Sequence, residues 1–196
     1  MFGLQGFKLP VLVGRNVSLS GLRRGCIECP MKTGLIRLGF SEGMFGLHQG
    51  LRSHVILGKE GKIVFKGKAT ISRSFTMNIH NEVIFGNMFF SNTGFLLSVS
   101  EKTIFGDNTL LGWNVTMIDG DGHKVIFDGQ QCNRPSAIKL GNRCWIGADC
   151  TILKGVILAD DTIVPSKSII TKSNVKPHTV YGSQNKILKE NVTWEY

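Results

Sequence analysis

His123 stands between acidic residues in the stretch Asp119-Gly120-Asp121-Gly122-His123. An imidazole with an ordinary pKa of about 6.5 can take a proton from a weak nucleophile near neutral pH and return it to a leaving group. Asp119 and Asp121 lie within loop reach of it, and a carboxylate there would fix the tautomer of the ring. About twenty residues later comes Trp145-Ile146-Gly147-Ala148. The five cysteines are Cys26, Cys29, Cys132, Cys144 and Cys150. An odd number without a secretory leader pattern reads as free thiols in a reducing, cytoplasmic setting. The lone Cys26-x-x-Cys29 pair has no second pair or nearby histidines, so zinc is not expected.

These residues must be positioned by strands. Of 196 residues only four are alanine, whereas 44 are isoleucine, valine or threonine, and 24 are glycine. That composition suits many short strands and turns and excludes a helical bundle. With 42% hydrophobic residues the chain is not a disordered one. No apolar run is long enough for a membrane helix. The formal charge of +9 favours an anionic partner. Nucleic acid is not expected, because no motif interleaves aromatic and basic residues.

A repeat organises the chain. From Leu140 it divides into hexads without a gap: LGNRCW, IGADCT, ILKGVI, LADDTI, VPSKSI, ITKSNV. The first position is always aliphatic (Leu140, Ile146, Ile152, Leu158, Val164, Ile170), and the fifth is small or medium-sized. A short strand followed by a tight corner explains a period of six, with three hexads completing one triangular coil. The spacing predicts Leu140 over Leu158, Ile146 over Val164 and Ile152 over Ile170, paired as parallel strands. Upstream, Phe45, Phe65, Phe85 and Phe105 recur every 20 residues and predict a phenylalanine column inside the prism. Further hexads begin at Ile71, Met77, Ser91, Leu97, Leu111 and Met117. Residues 119–137 fit no hexad and are expected to project as a loop, commonly the binding face of a solenoid. The expected organisation is an irregular coil or cap over 1–44, a β-helix over 45–181, and a tail over 182–196 with a short helix capped by Ser183.

The run LGNRCWIGADCTILKGVILADDTIVPSKSIITK, with TIFGDNTLLGWNVTMIDGDGHKV before it, resembles the hexapeptide-repeat acyltransferases over roughly residues 60–186. The resemblance implies an all-β, left-handed parallel β-helix. It is greatest to bacterial O-acetyltransferases that modify surface polysaccharides and their sugar precursors, and it implies acetyl-CoA as acyl donor, a sugar acceptor and a homotrimer with clefts between prisms. His123 matches the family's catalytic histidine, with Asp121 and Asp119 beside it. Trp145 is expected to line the acyl channel, and the Ala148 backbone N–H to receive the developing oxyanion. Ser166, Thr171, Lys172 and Lys186 match positions that hold CoA, while Asn92, Trp113 and Asn114 fall on the acceptor side. The chain departs from the family pattern at VPSKS and GSQNK, where the pantetheine contacts fall, and at SNTG, where Gly94 replaces a second asparagine; this last change, with the lack of the family's compact N-terminal helical segment, points to a different acceptor, a larger or a lipid- or nucleotide-linked sugar. Two other functions share the fold: a metal-dependent protein like the γ-class carbonic anhydrases, for which His48 and His54 are six apart, and a nonenzymatic scaffold.

Overall fold

The computed structural model describes residues 9–40 and 52–195; Phe45 and His48 lie outside the described residues. Three parallel sheets form the faces of a triangular prism. In each coil the chain runs through the first face, then the second, then the third; one coil comprises Ala69–Ile71, Thr76–Ile79 and Glu82–Phe85. Alternating residues point inward, so Val83 and Phe85 are buried while Glu82 and Ile84 face outward in part.

The hexad register holds residue by residue. Leu140 pairs with Leu158, Ile146 with Val164 and Ile152 with Ile170. The fifth positions Cys144, Cys150, Val156 and Thr162 are fully buried, and Ser168 and Asn174 nearly so. Upstream, Met77, Leu97, Met117 and Ile152 stack in one column. Phe65, Phe85 and Phe105 stack with ring centroids 5.0 and 5.1 Å apart, and Phe89 meets Phe85 edge-on at 4.7 Å.

The corners explain the polar residues between hexads. At the corner between first and second faces, Ser74, Gly94, Asn114, Asp149 and Lys167 all adopt a left-handed backbone; at the corner between third and first faces Met88, Asn108, Arg143, Asp161 and His178 do so. Short polar side chains tolerate that conformation and bond locally. Asn87, Asp107, Asn142 and Asp160 form a ladder in which each side-chain oxygen accepts the backbone N–H of a residue one coil earlier. Beside it, coils touch so closely that a Cβ on Gly86 would lie 2.5 Å from the Gly106 carbonyl.

Two expectations are corrected. The segment expected as an irregular coil or cap contains the strands Val11–Val13, Val17–Ser20, Ile27–Glu28 and Ile36–Leu38, each paired in parallel with a later coil. Its long corners, such as residues 21–26, break the hexad spacing without breaking the coil. The tail is not helical: Ser183–Asn185 is a single 3₁₀ turn without a side-chain cap, and Lys186–Glu190 returns antiparallel to Thr179–Gly182. Left-handed backbone at Gln184 and Asn185 makes the reversal that a helix cannot accommodate. No helix among the described residues is long and apolar enough to cross a membrane.

Candidate active site

The chain leaves the prism at the corner between second and third faces after Thr116–Ile118, and re-enters it at Ile138–Leu140. Between them Ile126–Phe127 and Gln130–Gln131 form an antiparallel hairpin. Asp128-Gly129 turns it with positive φ at both residues, the two-residue turn that matches strand twist. His123 sits on the arm leading into this hairpin, exposed to solvent.

Asn133 holds that arm. Its amide donates to the His123 carbonyl at 2.7 Å and to Asp121 Oδ2 at 2.9 Å, while its Oδ1 accepts the Val125 N–H at 2.7 Å. Asp121 is also ion-paired to Lys154 of the next coil. The Lys154 ammonium, then the Asn133 amide, hold the Asp121 carboxyl below its usual range. A lowered pKa means this tie is fully present above the ordinary carboxylate pKa and is lost as pH falls through the lowered one. Amide exchange over residues 121–134 is therefore expected to accelerate in that acidic window, and Lys154→Met to produce the same acceleration at neutral pH. Unchanged exchange in the variant would remove Lys154 from the account.

Asp119 does something different from the role expected of it. Its side chain is fully buried, and its two carboxylate oxygens accept the backbone N–H groups of Ser100 at 2.5 Å and Glu101 at 3.1 Å. Burial pushes its carboxyl up, against those bonds. Its carbonyl accepts the Ser136 N–H at 2.9 Å, which pins the two roots of the loop together. The parity of the strand turns Asp119 inward, like Met117, and away from His123. Asp119→Ala is expected to cost about 1–3 kcal/mol by removing the acceptor of two part-buried backbone N–H groups, measured by denaturant unfolding. A variant as stable as the parent would refute the anchoring role.

The other expected site residues fall on separate parts of the prism. Asn92, Trp113, Asn114, Ala148 and Ser166 lie along the edge between first and second faces. Asn92 Nδ2 donates to the Leu111 carbonyl at 3.3 Å, and Asn114 Nδ2 to Asp149 Oδ1 at 3.0 Å. The Ala148 N–H already donates to Ser166 Oγ at 3.1 Å. Thr171 and Lys172 lie on the loop's own edge, two coils above its root. Asn185 Oδ1 accepts both of their N–H groups at 2.9 Å. Lys186 lines a cleft with Ser173, Lys176, Tyr181 and Ile187, in which Lys176 is ion-paired to Glu190 at 2.5 Å.

Trp145 is 40% exposed on the first face. Trp194 packs against it at 5.9 Å and is itself nearly buried. Arg143 fixes this tail residue: it donates to the Trp194 carbonyl at 2.7 Å and to Asp161 at 2.7 Å, and accepts Trp194 Nε1–H on its own carbonyl at 2.8 Å. Sequence reasoning missed Asn133, Lys154, Arg143 and Trp194. Thiol chemistry has no place inside the prism: burial pushes Cys144 up to about 12 and raises Cys150. All five cysteines are free. Among the described residues no three His, Cys, Asp or Glu side chains gather as a metal-binding group.

Among solved structures, the polySia-specific acetyltransferase NeuO superposes with a TM-score of 0.54 at 19% identity, covering 74% of this chain and 69% of that one. The polysialic acid O-acetyltransferase OatWY gives 0.51 at 21%, over 95% and 69%. The chain is a hexapeptide-repeat left-handed β-helix. No family model matches it. This β-helix is also 31% identical over 110 residues to the galactoside O-acetyltransferase of Escherichia coli (strain K12), a match covering 55% of the chain. It spans about half, 51%, of that curated relative.

Proposed function

We propose that this β-helix is an acetyltransferase that moves an acetyl group from acetyl-CoA to a hydroxyl of a sugar in cell-surface polysaccharide or its precursor. The observation that carries the reading is His123 on a projecting arm whose backbone is clamped by Asn133 while its ring faces solvent. The identity with the galactoside O-acetyltransferase, whose name states that chemistry, supports it.

In the reaction His123 takes the proton of the acceptor hydroxyl as its oxygen attacks the thioester carbonyl. The tetrahedral intermediate carries its charge on the former carbonyl oxygen. Ala148 N–H can stabilise that charge once the exposed Ser166 hydroxyl rotates away from it. Collapse breaks the carbon–sulfur bond, and the imidazolium returns the proton to the CoA thiolate. Asp121 acts on the arm that carries His123, through Asn133, and not on the ring. Thr171, Lys172 and Lys186 serve CoA; Asn92, Trp113, Asn114 and Trp145 serve the acceptor and acyl group.

The assembly is a homotrimer. His123 and the edge bearing Ala148 and Asn114 lie on different corners of one prism, so a cleft using both needs a neighbouring copy. Five free thiols suit a cytoplasmic location, where acetyl-CoA is available.

Thiol release from acetyl-CoA, measured over a panel of nucleotide-linked, lipid-linked and oligomeric sugars, tests the reading. Release that depends on one acceptor class is expected, from a particle of about 65 kDa by light scattering, three times the 21.6 kDa chain. A fully active monomer would overturn the shared cleft. Absence of both CoA binding and thiol release would overturn the function.

A further inference from the structure

The net charge is not spread along the prism. Between Leu9 and Arg73 the described residues carry eleven lysines and arginines against two glutamates, a net of +9; from Ser74 to Glu195 eleven basic and eleven acidic side chains cancel. The candidate active site thus lies in a neutral region, and the basic residues collar the first two coils, far from it.

Among the described residues nothing pairs with the outer side of the first coil. Val11–Val13, Val17–Ser20 and Ile27–Glu28 are terminal strands of their three sheets. Their inward residues Val11, Val17, Leu19 and Ile27 are only partly buried. Around them Leu9 and Leu22 are each 48% exposed, Met31 43% and Val13 40%. Arg15, Arg24 and Lys32 stand exposed at its corners. At the far end of the prism the hairpin Thr179–Gly182/Lys186–Glu190 extends the first sheet beyond Ile163–Val164.

We propose that this first coil docks end-on against an anionic lipid bilayer, the arginines and lysines meeting headgroups while Leu9, Leu22 and Met31 enter the interface. Basic side chains around exposed aliphatic ones form the pattern of interfacial binding, and each basic residue near an anionic surface adds to it. A second copy of the chain does not fit here, because two such collars repel. Nucleic acid fits poorly: a hydrated polyanion gains nothing from leucine and methionine, and residues 9–39 offer no aromatic ring for bases to stack on.

The test is co-sedimentation of the full chain with vesicles, either of phosphatidylcholine or of an equal mixture of phosphatidylcholine and phosphatidylglycerol. Binding to the mixed vesicles alone is expected. Arg15→Glu combined with Arg24→Glu should lower it by about tenfold or more, and Leu22→Ser with Met31→Ser by about fivefold, both variants keeping the parental circular dichroism and melting temperature. Equal binding to both vesicle types, or to neither, would overturn the proposal. So would retention of full binding in the Leu22/Met31 variant, or tighter binding to a single-stranded oligonucleotide than to the mixed vesicles. Binding alone is read, so the outcome is independent of the transfer reaction.

Discussion

His123→Ala is expected to slow acetyl transfer by about 10²- to 10⁴-fold, the usual contribution of a positioned general base. At 1.36 kcal/mol per tenfold, that is about 3–5 kcal/mol of transition-state stabilisation. CoA affinity should be nearly unchanged, because the ring acts on the acceptor hydroxyl as it becomes an alkoxide. The structure sharpens this expectation. Asn133 bonds the His123 carbonyl and not its ring, so the arm stays clamped when the side chain is cut back. The melting temperature should therefore stay within a degree or two of the parent, since exposed substitutions rarely shift stability by more than about 0.5 kcal/mol. A folded His123→Ala protein with parental turnover would remove the histidine from the mechanism.

Phe85→Ala should be the most destabilising single truncation in the prism. The ring is wholly buried, sandwiched between Phe65 and Phe105 and met edge-on by Phe89. Removing it opens a void in a stack whose neighbours are fixed by parallel pairing on both sides, so little collapse is possible. Buried Phe→Ala changes cost about 3–5 kcal/mol, and this one belongs at the upper end. Urea unfolding would measure it. A loss below about 1 kcal/mol would mean that the coils can close around the gap.

The prism was legible because each hexad repeats one decision, an aliphatic residue in and a small one at the corner, and stacking then follows from spacing alone. Where corners lengthen, as at residues 21–26, that spacing fails although the strands pair as before. Asp119 was readable too. Inward parity from Met117 places it inside the corner, but its position beside Asp121 and His123 drew the reading toward catalysis. The tail could not be read. Ile187, Leu188 and Val192 fit a short helix as well as a hairpin, and what decides between them is nonlocal: Val180 pairing with Lys189, and Arg143 reaching Trp194 across 51 positions of sequence. Asn133 carries no signal of its own, since an asparagine in a polar loop is ordinary until its three partners are seen.

Apart from the hairpin Thr179–Gly182/Lys186–Glu190, every sheet neighbour in the prism belongs to an adjacent coil. Pulled by its ends, such a chain cannot fail at one central clamp. It should pay out like a coil of rope, one coil at a time, with longer steps both at the coil that carries the Asn133 hairpin, where Thr116 pairs with Thr151, and at the early coil, where Val17 pairs with Ser53. A force trace would then show the position of the loop as an interval along the chain.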